Sequence, residues 1–305
     1  MNTTRRALIL ALVPFALGLA TALLLRATSD RLPVIRLRAD LGSWLALLGG
    51  LLSLLALTSV VVWAAAGRRL DRALTEARQT QAEAHRRFLR RLDHELKNPL
   101  TAIRVGLANL AGTPPRDERD RTLAGVEAQV SRLSKLASDL RKLADLETQP
   151  LERAAVDLNE LLSEVVALAR EQPEGEEREI ALILPQAPWP LPQVPGDRDL
   201  LFLALYNLLD NALKFTRPSD TIEVRAVEDG RVVTVEVADT GPGIPEDELP
   251  HVFEELYRGR GARDTEGNGL GLALVRAIVE RHGGTVTVRS REREGTVFTL
   301  HLPLD

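Results

Sequence analysis

Hydrophobic residues along this chain follow three rhythms, and each predicts a different kind of structure. The first is continuous. Residues 7–25 form an uncharged run of about 19 residues, and residues 44–66 form a second. A helix needs about 20 apolar residues to cross a bilayer core, so both runs are expected to be transmembrane helices. Ala20-Thr21-Ala22 also fits a signal-peptide cleavage site, but the first run exceeds the usual ~7–15-residue signal core. The intervening segment, 26–43, is well under the ~40 residues at which an unsupported domain becomes feasible. Its Arg26, Arg31, Arg36 and Arg38 suit lipid headgroups, and Trp44 and Trp63 suit the two interfaces of the second span. Arg5 and Arg6 before the first span, with Arg68, Arg69 and Arg72 after the second, put both ends in the cytoplasm, although the loop arginines blunt that asymmetry.

The second rhythm is helical. From residue 67 the chain becomes charged and alanine-rich without proline, and Leu70, Leu74, Ala77, Ala84 and Phe88 recur at steps that suit one seam of a coiled coil. Residues 67–87 are therefore expected to be a helical linker leading from the second span. Phe88, Leu92, Leu96, Ile103 and Leu107 continue the stripe. At 100° per residue, His94 lies roughly 160–200° from Leu92 and Leu96 and faces water. Glu95 and Asn98 share that exposed surface, and Pro99 is expected to kink the helix. A turn at Gly112-Thr113-Pro114-Pro115 follows. A second helix then carries Leu123, Val126, Val130, Leu133, Ala137, Leu140 and Ala144 at heptad spacing. Residues 88–148 thus form an antiparallel hairpin whose apolar stripe is too long to bury alone, and pairing two copies into a four-helix bundle would cover it.

The third rhythm mixes strands and helices over residues 149–305. Strands are expected at Glu179–Leu184, Thr221–Val227, Val232–Ala238, Thr285–Arg289 and Thr296–Leu302, with a proline-rich loop at 185–195. Helices are expected from Val156-Asp157-Leu158 through about Arg170, at Asp197–Phe215 and at about Gly269–His282. The order specifies an α/β sandwich with a mixed sheet and helices on one face.

Composition narrows the chemistry. The absence of cysteine excludes disulfides and cysteine-based zinc sites, and a net charge of −4 gives no sign of nucleic-acid binding. Neither a GxxxxGK[ST] loop nor a strand followed by GxGxxG is present. Instead, Asn207, Asp210, Asn211 and Lys214 project from a leucine-rich helix. Asn207 and Asn211 put two amide oxygens on one face, a donor type suited to Mg²⁺ together with phosphate oxygens and water, and Lys214 could meet phosphate. Asp239-Thr-Gly241-Pro-Gly243 ends a strand with a carboxylate and a flexible turn. Gly267-Asn-Gly269-Leu270-Gly271 opens a helix, where free backbone N–H groups favour anions.

Together, these stretches resemble the two-component sensor histidine kinases. Phe88, His94, Glu95, Leu96, Pro99 and Leu100 are similar to that family's phosphoacceptor box, with Asp93 and Lys97-Asn98 where Ser and Arg-Thr are usual. The asparagine helix, Asp239-Thr-Gly-Pro-Gly, Phe253, Gly267-Asn-Gly-Leu-Gly and Gly295-Thr296 are similar to the N, G1, F, G2 and G3 boxes of the GHKL (Bergerat) ATP-binding domain.

The resemblance implies a phosphoacceptor and dimerisation domain of HisKA type, followed by the ATP-binding domain. It implies that Asn207 and Asn211 hold Mg²⁺, Lys214 contacts phosphate, Asp239 binds the adenine amino group, and Gly241 and Gly243 let the base approach. Gly267, Gly269 and Gly271 would cradle phosphates, alongside Leu270. A lid would run from Glu254 to Asn268, with Phe253 at its hinge and Tyr257 and Arg258 near the phosphates. Thr296 would support Asp239 through its hydroxyl. The implied activity is ATP-dependent autophosphorylation of His94, with Glu95 as base, and transfer to an aspartate of a cytoplasmic response regulator. Asn98 could orient water for regulator dephosphorylation. The implied setting is a homodimer in the inner membrane, multi-pass, with room for a membrane sensory partner. An ATP-gated switch without phosphotransfer, a degenerate scaffold and a net phosphatase remain as alternatives.

Overall fold

The computed structural model of the chain describes residues 19–21, 23–24, 27, 35–112, 115–186, 188–262, 265 and 267–304. Two compact units, Met1–Arg86 and Arg87–Asp305, divide it. In the first, Leu47–Ala66 has a mean hydropathy of 2.2 and is the one segment among the described residues long and apolar enough to cross a membrane. The expected span at 7–25 lies mostly outside the described residues, so two membrane helices are not established; residues 19–21 and 23–24 are helical.

Helix α1 is Ile35–Ala111. Its described part already includes Ile35, ahead of the apolar run expected from Trp44. Helix assignment continues through Pro99, so the chain does not break at the expected kink. The ring removes one backbone donor there, and Thr101 Oγ1 donates to the Lys97 carbonyl at 2.7 Å one turn on.

In the second unit, helix α2, Arg116–Thr148, begins directly after Pro115, with Asp117 and Glu118 in its first turn complementing the helix dipole. The hairpin's apolar stripe remains uncovered toward its tip: Leu100 is 54% and Leu107 is 55% exposed, and Leu123 and Val130 are exposed as well.

The α/β part begins with strand β1 (Ala154–Val156) and helix α3 (Leu158–Arg170), which is capped by Asp157 accepting from Asn159 and Glu160 N–H. Strands β2 (Glu179–Ile183) and β3 (Val194–Gly196) precede helix α4 (Arg198–Phe215). Strands β4 (Thr221–Asp229) and β5 (Val232–Asp239) follow, then helix α5 (Gly271–Arg281) and strands β6 (Thr285–Arg291) and β7 (Gly295–Pro303). The main sheet runs β2-β4-β5-β7-β6; β2 and β4 are parallel and the other pairs antiparallel, as a mixed sheet requires. β1 and β3 form a separate antiparallel pair that the sequence does not predict, with β3 beginning inside the expected loop at 185–195.

Alternation decides which sheet face is covered. Ile222, Val224 and Ala226 on β4, Val233, Val235 and Val237 on β5, and Phe298, Leu300 and Leu302 on β7 are all buried. They form one core with the buried faces of α3, α4 and α5. Leu201, Leu205, Leu208 and Leu209 of α4 are at most 1% exposed, and each buried leucine stabilises the fold by roughly 1.5–3 kcal/mol. Such anchoring fixes the rotation of α4 and thereby aims its asparagines.

The start of α4 is fixed as well. Asp197 caps it by accepting from Leu200 N–H at 3.1 Å, while its own N–H donates to His282 Nε2 at 2.9 Å. His282 Nδ1 lies 2.7 Å from the Ile278 carbonyl, which assigns that nitrogen as donor. Burial holds the His282 imidazole below its usual pKa, as the acceptor role of Nε2 requires.

Candidate active site

A cleft of about 680 Å³ opens beside α4. It brings together Asn207, Asn211, Lys214, Asp239, Gly243, Tyr257, Arg258, Gly267, Gly269, Gly271 and Thr296, eleven residues drawn from separate stretches of the sequence. On α4, Asn207 Nδ2 donates to the Leu203 carbonyl at 2.7 Å. That bond commits the amide nitrogen and leaves Oδ1 as the atom presented toward Gly271, where a Cβ would lie 2.9 Å from it. The donor set of neutral amide oxygens beside a space made by a missing side chain fits Mg²⁺ held jointly with phosphate oxygens. Lys214 Nζ pairs with Asp210 Oδ2 at 2.5 Å, so the cation expected on phosphate is balanced by its own helix neighbour one turn back.

Asp239 sits at the end of β5, opposite Thr296 of β7. Its Oδ1 accepts from Gly241 N–H at 2.9 Å. Burial pushes the carboxyl up, and backbone N–H bonds from Gly241 and Thr296 partly offset that. The Thr296 support therefore comes through its backbone. Its hydroxyl lies 2.9 Å from Ser290 Oγ, correcting the expected hydroxyl bond to Asp239. Ser290 Oγ also accepts from Ile244 N–H at 2.7 Å, which pins the turn after Asp239.

Two glycines are required by geometry. Gly243 has φ +68, and a Cβ there would fall 2.0 Å from the Arg291 carbonyl oxygen. Gly269 has φ +73, and its Cβ would fall 2.6 Å from the Tyr257 carbonyl oxygen. Both positions combine a left-handed backbone with contact against main chain, which no rotamer change relieves.

Three expected site residues stand behind the cleft. Gly241 is buried and acts through its N–H on Asp239. Phe253 packs edge-on against Phe298, with ring centroids 6.1 Å apart. Leu270 is fully buried with Leu136 and Leu256, against Phe88, Leu92 and Leu140 of the hairpin. The expected lid falls partly outside the described residues, at 263, 264 and 266. Within the described part, Arg258 donates to the Ala262 carbonyl, and to the Thr265 carbonyl at 2.6 Å.

The hairpin also contributes contacts the sequence did not signal. Arg91 Nη2 meets Glu254 Oε2 at 2.8 Å, Arg91 Nη1 donates to the Glu255 carbonyl at 3.0 Å, and the guanidinium lies 5.2 Å from the Tyr257 ring centroid. Burial alone would raise the Glu254 carboxyl, but bonds from His251 and Arg91 outweigh it and hold it low. Asp139 Oδ2 accepts from Asn268 Nδ2 at 2.7 Å, and Asn268 Oδ1 accepts from Leu270 N–H at 3.1 Å, so α2 is tied to the glycine-rich turn. Lys135 and Asp139 line the same cleft as the α4 asparagines.

His94 and Asn98 are exposed on α1, as the helical phase predicts, and neither borders the cleft. Glu95 does not border it either; its Oε2 accepts from Arg132 Nη2 at 2.7 Å across the hairpin.

A hairpin carrying an exposed histidine, joined to a helix-over-sheet domain with an asparagine-lined cleft, defines a histidine phosphoacceptor unit attached to a nucleotide-binding domain. Residues 84–149 match the His Kinase A (phospho-acceptor) domain, and residues 196–305 match the family described as histidine kinase-, DNA gyrase B-, and HSP90-like ATPase. The signal transduction histidine-protein kinase/phosphatase MprB of Mycobacterium sp. (strain KMS) is 36% identical over 244 residues, covering 76% of this chain and 45% of that protein. The sensor histidine kinase ZraS of Escherichia coli (strain K12) is 38% identical over 214 residues, covering 70% and 44%. The solved structure of full-length ShkA in complex with AMPPNP superposes with a TM-score of 0.52 at 32% identity, covering 70% of this chain and 44% of that one. The chain belongs to the two-component sensor histidine kinases. It spans about half the length of the curated relatives it matches.

Proposed function

We propose that the chain is a membrane-anchored, homodimeric sensor kinase that moves the γ-phosphoryl group of ATP to His94 and then to an aspartate of a response regulator. The observation that carries this reading is the pairing of a water-facing His94 in the phosphoacceptor hairpin with a cleft that collects Asn207, Asn211, Lys214, Asp239 and the glycine turns. ShkA, similar in fold and sequence, is described with AMPPNP bound, which supports ATP as the nucleotide here.

In this reading Asp239 accepts from the adenine amino group, held by the N–H groups of Gly241 and Thr296. Asn207 and Asn211 would hold Mg²⁺, which would supply charge neutralisation at the phosphate oxygens. The Nε2 lone pair of His94 attacks the γ-phosphorus, the bond to the β–γ bridging oxygen breaks, and ADP leaves with that electron pair. The Nδ1 proton of the resulting imidazolium passes to Glu95. Positioning carries most of such catalysis. Arg132 holds the Glu95 carboxylate in the described arrangement, so that bond has to be exchanged for one to His94 Nδ1. The exposed Leu100, Leu107, Leu123 and Val130 support a second copy as the occupant of the hairpin stripe. The apolar Leu47–Ala66 helix supports a bilayer anchor, with the kinase domains in the cytoplasm where ATP is available.

Asn98, exposed one turn from His94, supports a second activity, regulator dephosphorylation, and MprB is named a kinase/phosphatase. Two variants separate these roles. Asn211→Ala abolishes phosphorylation of His94 if the chain is an enzyme rather than a scaffold. Asn98→Ala removes regulator dephosphorylation while autophosphorylation continues; equal loss of both would contradict the assignment of Asn98.

A further inference from the structure

The polyphosphate of ATP carries several negative charges, so the cleft's uncommitted cations matter more than their total. Lys214 is balanced by Asp210 at 2.5 Å. Arg260 is balanced by Glu248 at 2.8 Å and Asp247 at 2.7 Å. Arg258 spends hydrogen bonds on the Ala262 and Thr265 carbonyls. Two exposed cations that line the cleft form no side-chain ion pair or hydrogen bond among the described residues: Arg217, just after α4, and Lys135, which comes from α2 of the hairpin.

Its neighbours on α2 hold it there. Leu136, next in sequence, is 2% exposed and packs with Leu256, near the start of the expected lid, and with Leu270, just past its end. Asp139, one turn on, is tied to Asn268 at 2.7 Å. That bond and Lys142 Nζ at 3.8 Å engage the Asp139 carboxylate, leaving Lys135 with no assigned anionic partner on its own helix. A lysine is a point charge on a flexible stem, suited to a phosphate whose position varies.

We propose that Lys135 is a polyphosphate-contact residue of the ATP site, supplied by the phosphoacceptor hairpin instead of by the nucleotide-binding domain. The proposal rests on the ATP reading above. Its consequence is reciprocal: ATP is bound more tightly when the hairpin is docked on the cleft, and bound ATP favours that docking.

The test measures binding of ATP and of adenosine to the full chain in detergent, for wild type, Lys135→Ala and Lys135→Arg. Loss of one charge-assisted bond is expected to weaken ATP about tenfold or more. Adenosine, which has no phosphate, stays within about twofold, and Lys135→Arg restores ATP affinity. Lys135 is exposed, so the variants keep the wild-type melting temperature. Unchanged ATP affinity in Lys135→Ala overturns the proposal, as does an equal loss for ATP and adenosine. Failure of the wild-type chain to bind ATP would instead refute the ATP reading itself.

Discussion

Gly271→Ala isolates the geometry of the α4 asparagines from the stability of the fold. Gly271 is the first residue of α5, and an added Cβ would lie 2.9 Å from Asn207 Oδ1 and 3.7 Å from its Cγ. Relief to ordinary contact requires the amide to move by about 0.5 Å, because C···O contacts are comfortable near 3.4 Å or more. Asn207 Nδ2 is anchored to the Leu203 carbonyl, so the oxygen is the end that moves. Alanine is otherwise favourable in a helix by about 0.5–1 kcal/mol over glycine, with less of that gain at a first position. Stability of the unliganded protein is therefore expected to stay within about 0.5 kcal/mol of wild type. A 1 Å misplacement of a reacting or positioning group can cost about a hundredfold, so half that displacement is worth on the order of tenfold in phosphorylation rate. Thermal unfolding without nucleotide, set beside initial phosphorylation rates with ATP and Mg²⁺, checks both halves. A melting temperature depressed by many degrees, or a wild-type rate, would refute the reasoning.

Two further perturbations test the buried charges. Asp239→Asn removes a carboxylate that burial disfavours, so the unliganded protein should melt at a higher temperature than wild type while ATP binding weakens about tenfold to a hundredfold, the range for hydrogen bonds to charged groups; calorimetry and nucleotide titration check the two signs. His282 is neutral when folded and titrates from 6.5 when unfolded, so its contribution is complete above about pH 6.5. It is lost as pH falls below that toward the lower folded value, by up to about 1.4 kcal/mol per pH unit, and His282→Asn should flatten that part of the acid limb in urea unfolding.

Regular periodicity made much of this molecule legible. The heptad stripe from Leu123 to Ala144 and the leucines of Asp197–Phe215 each repeat often enough to outweigh local exceptions, and both appear as helices, α2 and α4. The water-facing side of His94 followed from helical phase alone. The β1–β3 pair did not, because three-residue strands, one containing Pro195, carry no period. Nor could the helical conformation of α1 ahead of Trp44 be seen, since apolar content and helix extent need not coincide. Within the site, chain-local chemistry was readable and tertiary choice was not. Thr296 opposes Asp239, as expected, but its hydroxyl finds Ser290 on the neighbouring strand. Asp139 meets Asn268 across 129 positions of sequence, and nothing on either residue's own element signals that bond.

The central claim is that His94 receives the phosphoryl group, and transfer of labelled γ-phosphate from ATP to the full chain tests it most directly. With Mg²⁺ present, the account predicts label that is lost in acid and retained in alkali. His94→Gln should carry none while binding ATP with wild-type affinity, since His94 lies outside the cleft. Label that persists in His94→Gln, or label that survives acid in the wild type, would contradict it.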